Sequence, residues 1–181
     1  MSTAFHTSLS LEEFLRRPDR DDGQREELIE GELILSPSAK AWHADIVRRL
    51  QRRLVPLEGK GYALVNDSSC ILGKHSMPAP DLAAVTEGRW QQAVANEGWL
   101  QGSPELVIEV ASPGNRNLHR KAELYLQHGA EQVWIVYRKT RTVVVMTQED
   151  TQEARVGEYV EFHGVRLAVA EITPPPSPSA S

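Results

Sequence analysis

The sequence predicts an α/β (α+β) fold with a core of αβββαβ order, a mixed sheet flanked by helices, and an added hairpin at each end. Three observations carry that reading. First, Leu106-Val107-Ile108-Glu109-Val110 is an apolar run of strand length, as in a strand buried on both faces. Second, Leu118, Ala122, Tyr125 and Leu126 recur at one helical face, Gly129 ends that helix, and Val133-Trp134-Ile135-Val136-Tyr137 is another buried strand. Strand, helix and strand at these lengths make a βαβ unit with two parallel strands. Third, residues 41–54 set His43, Ile46, Val47, Leu50 and Leu54 on one face of a helix, and strands follow it.

Taken in order, Ser10 and Glu13 form a capping box that opens a short helix, which Pro18 stops. Asp19 to Gly23 is a polar loop. Leu28 to Leu35 reads as a hairpin turning at Glu30-Gly31, with Ser36-Pro37-Ser38 as a linker. On the 41–54 helix, Arg48, Arg49, Arg52 and Arg53 lie mostly opposite the apolar face. They could meet phosphates, but a solvated face is the plainer reading and the one preferred. Residues 61–65, 69–72 and 81–85 read as strands, and 87–103 as a surface helix or long loop. Ser112-Pro113-Gly114-Asn115 has the composition of a turn. Residues 142–147 pair with 133–137 as a hairpin, and weak strands at 157–162 and 165–170 close a single domain of residues 1–173. The tail from Pro174 to Ser181 is rich in Pro and Ser and reads as disordered.

Composition narrows the function. The chain has 181 residues, enough for one domain with a core, and is 40% apolar and 25% charged. A net charge of −5 argues against nucleic-acid binding through bulk charge, while leaving room for a local basic patch. The single cysteine, Cys70, excludes a disulfide framework and a Cys-rich zinc site. No apolar stretch has the length of a membrane span. The start lacks a basic segment followed by an apolar run, so no signal peptide is expected and the cytoplasm is the expected location.

Two carboxylates stand out. Glu109 lies inside an apolar strand, where an acid must be paired, protonated or bound to a cation. Asp81 opens a strand directly after Pro80. On adjacent strands the two could hold a hard cation such as Mg²⁺ (or Mn²⁺), which polarises a phosphoryl group and activates water. Lys121, on the helix after the Glu109 strand, can reach back to orient that water or offset developing charge. Structural alternatives stand beside these roles. Asp81 could be a turn residue or strand-end cap, Lys121 could snorkel from the helix border to water, and Glu109 could pair with an arginine.

Several segments resemble the Uma-type (Uma two) family of restriction endonucleases, within the PD-(D/E)XK nuclease superfamily. They are residues 27–33, the His43 helix, residues 80–85 and residues 105–113, together with Lys121, Tyr125, Gly129 and Val133-Trp134-Ile135-Val136. The resemblance runs from about residue 10 to about residue 170. It implies a restriction-endonuclease-like core and a Mg²⁺-dependent phosphodiesterase site, with Asp81 and Glu109 as its acids and metal ligands. The usual lysine position, two residues after the second acid, is Ala111 here. Lys121 would supply the amine from the helix instead. Glu27, Glu32 and His43 match further family positions, and Ser112 and Tyr125 join them around the site.

The function so implied is a DNA endonuclease, expected to be a homodimer because cutting both strands of a duplex calls for two sites. The competing reading is a catalytically inactive nuclease-fold module that binds DNA or a protein. A third is a metal-dependent hydrolase of a small phosphorylated molecule.

Overall fold

A computed structural model describes residues 8–18, 24–36, 39–96, 98–112 and 117–175. The helices are α1 (Leu11–Leu15), α2 (Ala41–Leu54), α3 (Glu87–Ala95), α4 (Leu118–Gln127) and α5 (Val169–Ile172). The strands are β1 (Arg25–Ile29), β2 (Glu32–Ser36), β3 (Tyr62–Val65), β4 (Cys70–Ile71), β5 (Leu82–Thr86), β6 (Leu100–Gln101), β7 (Leu106–Val110), β8 (Gln132–Tyr137), β9 (Thr142–Met146), β10 (Thr151–Arg155), β11 (Tyr159–Phe162) and β12 (Val165–Ala168).

A six-stranded sheet in the order β10-β9-β8-β7-β5-β3 organises the molecule. Within it β7 and β8 run parallel and are joined by α4, while the other pairings are antiparallel. The αβββαβ core is therefore α2, β3, β5, β7, α4 and β8, with α3 inserted between β5 and β7. Both faces of β7 are covered, which explains its unbroken apolar run. Leu106, Ile108 and Val110 pack with Ile46, Leu50 and Leu54 of α2. Val107 packs on the other side with Leu118, Ala122, Tyr125 and Leu126 of α4.

The N-terminal hairpin turns where expected. Glu30 (φ 48°) and Gly31 (φ 82°) both occupy the left-handed region, as a tight hairpin turn demands. A Cβ at Gly31 would run into Ser8, and the positive φ there also favours glycine. The Ser10 capping box on α1 is formed in both directions.

Three local expectations are corrected, and one left open between two alternatives is decided. Residues 69–72 give only the two-residue β4, which pairs in parallel with β6 outside the main sheet. For residues 87–103, expected as a surface helix or a long loop, the structure has the helix α3 followed by the short β6. Residues 151–155, not expected as a strand, form the sheet-edge strand β10 on β9. The run expected as strand to residue 170 stops at Ala168 and continues as α5. The polar loop at 19–23, most of the 36–38 linker, residues 113–115 of the expected turn and the tail beyond residue 175 lie outside the described residues.

Candidate active site

The site forms where β5 and β7 meet. Leu82 pairs with Ile108 in that antiparallel ladder, and one further step of register sets Asp81 opposite Glu109. Asp81 Oδ2 accepts the Val110 N–H at 2.7 Å and lies 3.1 Å from His43 Nε2, which α2 supplies. Asn66 Nδ2 donates to the Asp81 carbonyl at 3.4 Å. His43 Nδ1 is buried and has no hydrogen-bond partner among the described residues.

Glu109 projects toward α4. Its Oε1 lies 2.7 Å from Lys121 Nζ and accepts the Tyr125 hydroxyl at 3.1 Å. Lys121 is buried and reaches back to the β7 acid instead of out to water, and among the described residues no arginine pairs with Glu109. The second partner of Lys121 is Glu27 Oε1 at 2.8 Å, an atom that also accepts the Ala79 N–H. The hairpin that seemed an accessory thus completes the cluster. Glu32 does not join it: this side chain is exposed and pairs with Arg120. Ser112 lies just past β7 and is half-buried.

Sequence reasoning missed Arg25. Its Nη1 donates to Asp67 and its Nη2 lies 3.7 Å from Asp81 Oδ1. A signal was present, because Arg25 and Glu27 are two apart on one strand and so share a face. The basic face of α2 follows its plainer alternative: Arg48 and Arg49 pair with Asp45, and Arg53 pairs with Glu171.

Electrostatics separate the two acids. Burial alone would raise the Asp81 carboxyl, but the His43 hydrogen bond and charge, the Val110 N–H and Arg25 outweigh it and hold it below the usual range. Glu109 is pushed up to about 7 by burial; Lys121 opposes the shift, and the Asp81 and Glu27 charges add to it. Burial would lower the Lys121 amine, yet Glu109 and Glu27 raise it, so it keeps its proton. The hydrogen bond to Asp81 raises His43 against its own burial. Cys70 is inert, its thiol pushed up to about 12 by burial.

The donor set suits a hard cation that takes one or two carboxylates and keeps several waters. Among the described residues no group of three or more His, Cys, Asp and Glu side chains could hold a metal ion.

Sheet order and helix placement define a restriction-endonuclease-like nuclease fold. The crystal structure of a "putative nuclease belonging to DUF820" from Anabaena variabilis shares it, with a TM-score of 0.75 and 20% sequence identity over 91% of this chain and 97% of that one. Residues 11–173 match the Uma2 family, described as "Putative restriction endonuclease", and the chain belongs to that family. No curated protein matches it. Among the described residues no helix is long and apolar enough to cross a membrane.

Proposed function

We propose that the chain is a cytoplasmic, Mg²⁺- or Mn²⁺-dependent endonuclease that hydrolyses DNA phosphodiester bonds, working through one domain, residues 1–173, as a homodimer. The observation that supports this best is the buried Glu109–Lys121 pair, with the buried Asp81 carboxylate close enough for its charge to act on Glu109. Asp81 and Glu109 would hold the ion. When bound, it supplies Lewis-acid polarisation of the phosphoryl group and an acidified water. The remaining work belongs to the chain. His43 and the Val110 N–H orient Asp81, and Tyr125 orients Glu109. Lys121 holds a proton at Nζ beside Glu109 and stabilises negative charge that develops on the phosphate. Glu27 keeps that amine in place.

One observation favours the competing reading of a non-cleaving module. Lys121 and its two acids satisfy one another and can hold the fold together without substrate. Calorimetric titration with Mg²⁺ and Mn²⁺, beside plasmid cleavage, separates the two readings. The nuclease reading expects divalent-ion binding that Asp81→Asn removes, together with cleavage that needs the ion. A parent protein that binds neither ion and leaves plasmid intact would establish the module.

A further inference from the structure

Resting on the nuclease reading, we propose that Arg25 is the substrate-binding residue that grips a backbone phosphate at the mouth of the site. The cluster is graded in depth. The Glu27 and Glu109 side chains are 2% exposed and Lys121 3%, Asp81 8% and His43 10%, Arg25 31% and Asp67 69%. A substrate approaching from solvent meets Arg25 before it meets the acids. A phosphodiester and these carboxylates carry the same sign of charge and repel. Lys121 cannot offset that at the mouth, because it is buried and engaged with Glu27 and Glu109.

Arg25 is poised for exchange. Its 3.7 Å approach to Asp81 Oδ1 exceeds hydrogen-bond distance, so that contact is one of charge alone. Its bond to Asp67 is to an exposed carboxylate, a weak kind of pairing that yields at little cost. The planar guanidinium fork then matches two phosphate oxygens. Strand β1 makes the division of labour possible. Glu27 points to the buried amine and Arg25, two residues earlier on the same face, to the opening.

The test measures anisotropy of a labelled DNA duplex in chelator across a salt titration, and steady-state cleavage with Mg²⁺. It compares the parent with Arg25→Gln, Arg25→Lys and Arg48→Gln. Arg25→Gln is expected to weaken binding about tenfold and to flatten the log K against log salt slope by about 0.9, the share of one phosphate contact. KM should rise more than kcat falls. Arg25→Lys, which keeps the charge beside Asp81 and so guards against misfolding, should recover the salt slope while regaining only part of the affinity. Arg48→Gln, on the solvent face of α2, should match the parent. Unchanged binding and KM in Arg25→Gln overturn the proposal, as does an equal loss in Arg48→Gln, which would reduce the effect to bulk charge. A lower Tm with unchanged KM would make Arg25 only a structural partner of Asp81 and overturn it too. A parent that neither binds nor cleaves DNA fells the nuclease reading. A parent that cleaves beside an equally active Arg25→Gln fells this inference alone.

Discussion

The Lys121 amine and the Glu109 carboxylate form a 2.7 Å ion pair with both side chains buried, one from the helix and the other from the first strand of the βαβ unit. Removing the cation leaves Glu109 and Glu27 facing each other without compensation. Lys121→Ala is expected to abolish or strongly cut hydrolysis while divalent-ion binding stays near that of the parent, because the amine is not a ligand. It should also destabilise the fold by about 3–5 kcal/mol near pH 8, the cost of breaking a buried pair. The loss should be smaller near pH 5, where Glu109 takes up a proton. Cleavage assays, calorimetry and thermal melts at both pH values check this; a variant that cuts at the rate of the parent removes Lys121 from the site.

Glu109 also sets a pH dependence. Its folded-state value of about 7 lies above the ordinary 4.5. Its contribution is therefore full below about 4.5 and is lost as pH rises through about 7. His43, likewise raised, acts in the same direction above its ordinary 6.5. Asp81 acts oppositely, but its lowered value confines that effect to pH below 3.8. In chelator the parent should lose stability between about pH 5 and about pH 8, on the order of 1–3 kcal/mol. Glu109→Gln keeps the shape of the protonated acid. It should be at least as stable as the parent near pH 8, with a flatter profile. Added Mg²⁺ should stabilise the parent by mass action and the variant little. A Gln variant that is strongly destabilised in chelator, with no ion effect on either protein, would leave Glu109 a structural residue.

Sedimentation at micromolar concentration is expected to show a homodimer, since two sites are needed to cut both strands. A monomer would count against duplex cleavage.

Truncation after Thr173 should leave the melting temperature unchanged. Thr173 itself is buried, donates its hydroxyl to the Val169 carbonyl at 2.9 Å and accepts Arg141 Nε at 2.9 Å. Cutting one residue earlier should therefore lower Tm by several degrees. A drop of that size on removing residues 174–181 alone would show that the tail is docked.

The candidate site was legible in the sequence wherever a residue contradicted its own neighbourhood. Glu109 is such a case, because an acid amid Leu, Val and Ile needs a partner whatever the fold. Lys121 was named from its reach off the helix, but its burial was not legible, because a lysine at the border of an apolar helix face commonly reaches water. Its burial depends on Glu27, which is 94 residues distant in the chain. Arg25 escaped notice for the same reason: a hairpin pattern gives the strands and their turn and leaves the docking site open.

By itself the sequence determined the order of the core elements, the two faces of β7 and the tight turn at Glu30-Gly31, and it singled out Asp81 and Glu109 as candidates. Periodicity, turn chemistry and the cost of a buried charge are local properties, readable within one segment. Tertiary structure decided which cation neutralises which acid: Lys121 between Glu27 and Glu109, and Arg25 beside Asp81. It also put β4 outside the main sheet and β10 at its edge. Charge pairing acts over a few ångströms and strengthens as water is excluded. Both the distance and the exclusion exist only once β1 has folded back over the β5–β7 end and α4 has closed on the same sheet.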